Sequence, residues 1–206
     1  MNLSEYDDKI IRVTDKDGSI FTGVSDSVSP DYGWHEYGRE EAAVQIGDCV
    51  IFESDIGKVE ELSTFAIIRA TELWQQAGAF YVRIQAMARK HHITLRQEFD
   101  EHDRPETKYI VVTDSDFPIA TARMYPLDEN RMMIGRVVVL PEYRHQGIGS
   151  MVVDACECWA DELGYGKTVV ESRVNKTGFY ERMMYEIAGE AVEGETFCCI
   201  RMEKDL

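Results

Sequence analysis

The chain has 206 residues, of which 44% are hydrophobic and 10% aromatic, enough apolar material for packed cores and too much for wholesale disorder. Its formal net charge of −16 repels phosphate backbones, which argues against nucleic acid as a partner and favours cationic molecules. No apolar run reaches the roughly 18 residues of a membrane span, and the acidic N-terminus is unlike a signal peptide, so we expect a cytoplasmic protein.

Residues 1–62 are predicted to form a small β-barrel domain. Short apolar segments alternate there with turn signals such as residues 15–18 and Gly47-Asp48, a pattern typical of five short strands. A long polar and aromatic insertion between about residues 25 and 41 interrupts the pattern. The segment holds 15 acidic residues against 5 basic ones, a net charge of −10. Because this charge repels RNA, we expect a role in protein interaction or dimerisation rather than in RNA binding.

Residues 63–206 are predicted to form a second domain that mixes strands and helices. The periodicity of apolar residues predicts a strand at 66–69, a helix at 72–90, an acidic loop at 97–103, paired strands at 109–113 and 119–124, a central strand at 132–140, a helix at 147–163, a strand at 168–171, a short helix at 176–183 and a final strand at 196–202. The five cysteines are odd in number and form no C-x-x-C pair, which argues against a disulfide framework or a zinc site. We expect most of them to be buried as small apolar side chains.

The junction between the central strand and the following helix is the most informative part of the chain. An apolar run ends at Pro141, a short loop with an arginine and two glycines follows, and a helical pattern begins at once. Glycines allow close approach to main-chain N–H groups, and a helix N-terminus adds partial positive charge. This combination predicts a diphosphate-binding loop made of Arg144, His145, Gln146, Gly147, Ile148, Gly149 and Ser150.

The segment Arg144-x-x-Gly147-x-Gly149 resembles the acyl-CoA loop of the GNAT superfamily of N-acetyltransferases. The order of elements over residues 63–206 is also similar to that superfamily, and residues 81–103 with 134–137 resemble its ElaA-like branch. Residues 21–24 and 51–56 resemble an Sm-like (LSm) barrel. The resemblances imply a GNAT fold, α+β or α/β with a mixed central sheet flanked by helices, preceded by a small all-β SH3/Sm-like barrel.

The GNAT resemblance implies acetyl-CoA as co-substrate and no metal. By resemblance, the backbone of Val137, Val138 and Val139 hydrogen-bonds the pantetheine arm, and the amides of residues 144–150 hold the diphosphate. Asn175 would contact the pantetheine or cap the helix that follows. Tyr180 would donate a proton to the departing CoA thiolate, since a phenol with a pKa near 10 can do so.

The general base is left open by the sequence. Some family members carry a glutamate on the central strand where this chain has Met133, which cannot accept a proton. The acidic run offers Glu98 and Asp100 as catalytic candidates, followed by Glu101, His102 and Asp103. Such a run could bind and deprotonate a cationic amine, or it could be an ordinary solvated surface.

The leading functional hypothesis is an N-acetyltransferase that moves an acetyl group from acetyl-CoA to an amine by direct attack in a ternary complex. The alternative is a catalytically weak acyl-CoA sensor that acts through the N-terminal barrel, which Met133 favours and Tyr180 opposes. A third hypothesis, RNA association, is disfavoured by charge. We expect a small-molecule or peptide amine as acceptor, no nucleic-acid or membrane partner, and surfaces suited to a homodimer. The sequence does not identify the amine.

Overall fold

The computed structural model describes residues 2–193 and 197–206, and it contains two β-sheets joined across one long helix. The N-terminal sheet is antiparallel, with strand order β4-β3-β2-β1-β5. Its strands are β1 (Lys9–Asp15), β2 (Ile20–Val28), β3 (Ala43–Ile46), β4 (Cys49–Phe52) and β5 (Ile56–Glu61). We call residues 2–61 the N-terminal unit.

The N-terminal unit has an apolar core of its own, because alternate residues of each strand face inward. In β1, Ile11 and Val13 are fully buried while Arg12 between them faces outward. The core consists of Leu3, Ile11, Val13, Val44, Ile46, Ile51 and Ile56. The prediction of five short strands is confirmed. Closure into an Sm-like barrel stays a prediction, since the described residues of β4 and β5 do not pair.

The predicted insertion at residues 25–41 begins later than expected and contains a helix. Strand β2 continues to Val28, and helix α1 (Pro30–Tyr37) follows. The Ser29 hydroxyl accepts a hydrogen bond from the Tyr32 amide at 3.3 Å, and Pro30 occupies the first turn, where its missing N–H costs nothing. Gly38 ends the helix with a φ of 70°. These capping signals are local and were present in the sequence.

The second sheet follows the predicted strand–helix order and runs β11-β13-β10-β9-β8-β7-β6, with β12 paired to β13. Its strands are β6 (Phe65–Arg69), β7 (Lys108–Asp114), β8 (Phe117–Pro126), β9 (Arg131–Val139), β10 (Lys167–Arg173), β11 (Glu186–Ile187), β12 (Val192–Glu193) and β13 (Cys198–Asp205). The short strands β11 and β12 were not predicted. The final strand was predicted from Thr196, which lies outside the described residues.

The helices cover the two faces of this sheet. They are α2 (Leu73–Arg83), which continues as a π-helical segment (Ile84–Arg89), α3 (Leu95–Glu98), α4 (Ile148–Glu162) and α5 (Thr177–Glu181). Helix α4 packs with the face that carries Ile110 and Val112, whereas α2 packs with the opposite face, through Val111 and Tyr109. The sheet is therefore enclosed on both sides around its central strands.

The N-terminal unit packs on the outer side of α4. Ile10 contacts the core beneath α4, and Lys204 Nζ of β13 bonds both Asp48 of the β3–β4 turn and Glu157 of α4, at 2.5 and 2.6 Å. All five cysteines are free, but only Cys156 is buried, so the expectation that most are buried is wrong. Among the described helices, none has the length and apolarity needed to cross a bilayer.

Candidate active site

A V-shaped cleft opens between β9 and β10. The two strands pair in parallel only from Arg131 to Ile134, opposite Lys167 to Val170. Beyond that point the described part of β10 pairs with β13 alone. On its other side β9 carries a bulge, because its Gly135 and Val138 face Arg123 and Thr121 of β8. Arg136 in the bulge has a φ of 51°. The bulge bends β9 away from β10 and leaves one backbone edge of residues 135–139 unpaired.

The three predicted valines line this open edge. Val138 is buried against Val82 and Ala86 on the α2 face, whereas Val137 and Val139 pack toward the core on the α4 face. The side chains thus anchor the strand on both faces while its backbone edge stays accessible. The carbonyl of Val139 already accepts a hydrogen bond from Arg144 Nε at 2.9 Å.

The loop before α4 presents a row of free amides. Among the described residues, the backbone N–H groups of six residues in this loop and first turn donate to no protein acceptor: His145, Gln146, Gly147, Ile148, Gly149 and Ser150. They lie at the start of a 15-residue helix, whose N-terminus adds partial positive charge. An anion with several oxygens, such as a diphosphate, fits these donors. Gln146 is engaged otherwise through its side chain, which contacts the N-terminal unit.

Two arginines at the mouth of the cleft strengthen this anion preference. Within the described part of the chain, neither Arg144 nor Arg173 forms an ion pair with a carboxylate. The guanidinium of Arg173 lies 3.3 Å from the ring centroid of Phe197. Burial, together with the charge of Arg144, lowers the pKa of Arg173. Two arginines without an ion-paired carboxylate, close enough for Arg144 to lower the pKa of Arg173, form a local site for an anion in a chain of net charge −16.

Tyr180 lies in α5 on the α4 face of the sheet. Its ring makes edge contacts with Phe179 at 4.8 Å and Tyr185 at 5.6 Å. Burial, and then the proximity of Cys156, raises the pKa of Tyr180, so its phenol keeps its proton at neutral pH. This suits a proton donor, and it also suits a core aromatic. The catalytic role of Tyr180 stays a prediction.

Asn175 does not cap α5. It is exposed in the turn before the helix, the first turn has no side-chain cap, and no hydrogen bond of Asn175 is found among the described residues. The capping alternative is therefore wrong, while the contact with pantetheine stays a prediction.

The acidic run is only partly solvated, since Glu101 is exposed whereas the side chains of Glu98 and Asp103 are buried. Glu98 is only 1% exposed and accepts a hydrogen bond from Arg83 Nε at 2.8 Å. Arg83, which is fully buried, also bonds Asp103 at 2.5 Å, and Asp103 accepts a further bond from the Tyr109 hydroxyl at 2.7 Å. Glu98 and Asp103 thus form a buried ion-pair network with Arg83, which ties the segment after α3 to α2 and β7.

Asp100 is held by two arginines of the central strands. Arg123 Nη1 donates to it at 2.6 Å, and Arg136 Nη2 at 2.9 Å. Burial by itself would raise the pKa of Asp100, but the bond and charge of Arg123, with the charge of Arg136, lower it overall. A carboxylate held in this way is a weak base. The geometry thus argues against Asp100 as the general base, and the engagement of Glu98 with Arg83 argues against Glu98.

Glu171 is a functional candidate that sequence reasoning missed. It is the first β10 residue beyond the last pair with β9, and it shares a face with Val169, the partner of Met133. Its side chain is 54% exposed, and its Oε1 accepts a bond from Arg201 at 3.1 Å. Glu171 therefore stands at the vertex of the cleft, beside the strand position where some family members carry a glutamate. The available signal was a charged residue at the end of a predicted strand.

Comparison with known proteins decides the family. The model of the Acetyltransferase (GNAT) family matches residues 70–185, more than half of the chain. The chain belongs to the GNAT family of acetyltransferases. Its GNAT region is similar to an uncharacterised acetyltransferase of Streptococcus pyogenes serotype M3, with 28% identity over 50% of this chain and 74% of that protein. The uncharacterised N-acetyltransferase YjcF of Bacillus subtilis is 26% identical over 56% of this chain and 81% of its own length.

Solved GNAT structures share the fold. A protein assigned as an N-acetyltransferase from Lactobacillus plantarum superposes with a TM-score of 0.67 at 26% identity, over 69% of this chain and 99% of its own. Escherichia coli ElaA gives a TM-score of 0.60 at 17% identity, covering 68% and 97% of the two chains. A GNAT acetyltransferase from Elizabethkingia anophelis with acetyl-CoA bound gives 0.52 at 15% identity, covering 69% and 99%. The last two show the fold alone.

Proposed function

We propose that the protein is an acetyl-CoA-dependent N-acetyltransferase that transfers the acetyl group to an amine by direct attack in a ternary complex. The observation that carries the proposal is the combination of two parted strands with a row of free amides at the start of α4. An extended thioester arm fits the first feature, and a diphosphate fits the second.

The residues that would hold acetyl-CoA fall into two groups. The unpaired edge of β9 at Val137 and Val138 would hydrogen-bond an extended amide chain as a neighbouring strand does. The amides of residues 145–150 would bind the diphosphate, with Arg144 and Arg173 supplying positive charge at the mouth. When bound, acetyl-CoA supplies an activated acetyl thioester and a thiol leaving group.

We assign the proton transfers to Glu171 and Tyr180. The Glu171 carboxylate, at the vertex of the cleft, would accept the proton of the attacking ammonium group, directly or through water. Tyr180 Oη would supply the proton that the leaving sulfur takes up. None of the five cysteines lies in the loop at 144–150, on the β9 edge at 137–139 or in the segment 175–180, so no cysteine stands in the proposed acyl-transfer motifs. Direct attack is therefore preferred to a covalent route.

The acceptor is proposed to be a small-molecule or peptide amine that enters from the α2 side, where Glu171 lies. The overall charge of −16 favours a cationic amine slightly. Arg144 and Arg173, at the mouth of the cleft, would bind the anionic coenzyme rather than the cationic amine. Nucleic acid is not expected as a partner, because the N-terminal unit is acidic.

One experiment separates the enzyme from the alternative of a sensor. The purified full chain is titrated with CoA by calorimetry and then incubated with labelled acetyl-CoA and a panel of polyamines, aminoglycosides, amino acids and peptides. We expect binding and label transfer to at least one amine. Binding without transfer to any amine would support the sensor. No binding of CoA would refute both.

We also propose that residues 1–62 form an Sm-like barrel domain beside a GNAT domain at 63–206. The support is the separate apolar core and the return of β5 to pair with β1 after four antiparallel strands. A crystal structure of the full chain with a flat, open N-terminal sheet would contradict the barrel. Sedimentation analysis of the same protein would test its role in dimerisation.

A further inference from the structure

The N-terminal unit forms hydrogen bonds to Gln146 of the diphosphate loop. The hydroxyl of Thr22 donates to the Gln146 carbonyl at 2.6 Å. Arg12 Nη2 donates to the Gln146 side-chain oxygen at 2.9 Å, and Gln146 Nε2 in turn donates to the Glu142 carbonyl at 3.0 Å. The loop is thus bound through both its backbone and a side chain.

The pairing of β1 and β2 explains why these two residues meet the loop together. Arg12 and Thr22 stand directly opposite each other in the antiparallel ladder, so both side chains project from the same face. Ile11 and Val13 on the opposite face are buried in the core of the N-terminal unit. Thr22 is only 1% exposed although it faces outward, because the loop covers it.

The hydrogen bond from Thr22 orients the next peptide N–H. In a trans peptide the carbonyl and the following N–H point in opposite directions. Because the Gln146 carbonyl is directed at Thr22, the N–H of Gly147 is directed away from the N-terminal unit. That N–H is one of the free donors at the start of α4.

Gly147 shows how closely the two parts approach. A Cβ atom at Gly147 would lie 2.6 Å from Thr22 Oγ1 and 2.8 Å from the Thr22 backbone nitrogen. The φ of Gly147 is 77°, a conformation that other residues rarely adopt. The glycine is therefore required by the turn and also by the packing of β2 against it.

We propose that the N-terminal unit is part of the coenzyme site, with Thr22 and Arg12 as positioning residues that hold the Gln146–Gly147 peptide for diphosphate binding. The inference rests on the proposed function, since it takes the loop to bind CoA. It assigns to residues outside the matched family region a role in coenzyme affinity. Neither residue touches the reacting atoms.

The test compares three variants of the full chain. Thr22→Val removes the hydroxyl at nearly constant shape, Thr22→Ser retains it, and Ser27→Ala removes an exposed β2 hydroxyl that bonds Asp7, away from the loop. Calorimetry with CoA should show Kd raised about three- to tenfold for Thr22→Val, the range expected for one oriented hydrogen bond. Thr22→Ser and Ser27→Ala should bind as the wild type does.

A second ligand separates positioning from general destabilisation. S-acetylpantetheine lacks the diphosphate, and its weaker binding can be followed by ligand-observed NMR. Thr22→Val should bind it as the wild type does. An equal loss of affinity for both ligands in Thr22→Val, or an unchanged affinity for CoA, would overturn the inference. Failure of the wild type to bind CoA would instead refute the proposed function.

A measurement on the wild type covers the case in which Thr22→Val does not fold. Coupling between two sites is reciprocal, so bound CoA must stabilise the contact with β2. Amide hydrogen exchange should slow in residues 20–24 when CoA is added, while residues 49–52 of β4, away from the loop, stay unchanged. Equal exchange in β2 with and without CoA would overturn the inference.

Discussion

The replacement Asp154→Asn is expected to stabilise the protein at alkaline pH. Asp154 lies in α4 beneath the β3–β4 turn, where a Cβ atom at Gly47 would be 2.7 Å from its carboxylate. Burial, and then the charge of Glu157, raises the pKa of Asp154 to about 7, although Lys204 acts in the opposite direction. Ionisation of this carboxylate, which lies between α4 and the N-terminal sheet, therefore costs free energy in the folded state.

The sign of the pH effect follows from proton binding. An unfolded aspartate titrates at about 3.8, so between that pH and about 7 the folded chain binds more protons than the unfolded chain. The contribution of Asp154 to the free energy of unfolding therefore falls as pH rises through this window and stays low above it. A shift of about three pKa units corresponds to at most about 4 kcal/mol. We expect about 2 kcal/mol, since solvent screens a partly exposed group.

Urea unfolding at about pH 5 and about pH 8 measures this difference. Asp154→Asn should be more stable than the wild type by about 2 kcal/mol at the higher pH and by clearly less at the lower pH. Asp161→Asn, an exposed replacement on the same helix, should match the wild type at both. An Asp154→Asn variant that gains the same stability at both pH values, or loses stability at the higher one, would refute the reasoning.

Three further predictions concern the ion-pair network and the cleft. Asp103→Asn leaves Arg83 incompletely compensated and should lower the free energy of unfolding by about 3 to 5 kcal/mol in urea; a loss below about 1 kcal/mol would contradict the network's importance. Tyr180→Phe should lower kcat in the acetyl-transfer assay while the calorimetric Kd for CoA holds; an unchanged kcat would exclude the acid role. Glu171→Gln should lower kcat by about 100-fold at neutral pH, whereas Glu181→Gln, an exposed control, should not; equal kcat values would place the base elsewhere.

The strand–loop–helix unit was predictable because its signals are local. Three valines before Pro141, two glycines and a long apolar periodicity each constrain the backbone within a few residues. Helix α4 accordingly starts and ends within a residue or so of its predicted bounds. The helix at Pro30–Tyr37 also had local signals, in its serine cap and terminal glycine, but no helix was predicted from them.

The state of the acidic run was not predictable in the same way. Glu98 and Asp100 are clustered with other charges in the sequence, which indicates a solvated loop. Their partners Arg83, Arg123 and Arg136 lie 15 to 38 residues away along the chain. A carboxylate is buried only where a cation lies close to it in space, and the composition of a segment does not show which distant residues will be its neighbours.

The residue pattern by itself is enough to predict two successive sets of strands and helices and a loop that suits a diphosphate. Those features depend on backbone preferences and on which residues must avoid water, and both are properties of short segments. Only the tertiary structure decided that Thr22 meets Gln146, 124 residues further along the chain, and that Glu171 stands where β9 and β10 part. Such contacts arise from the way the two sheets pack across α4 and from the bulge in β9, which short segments do not specify.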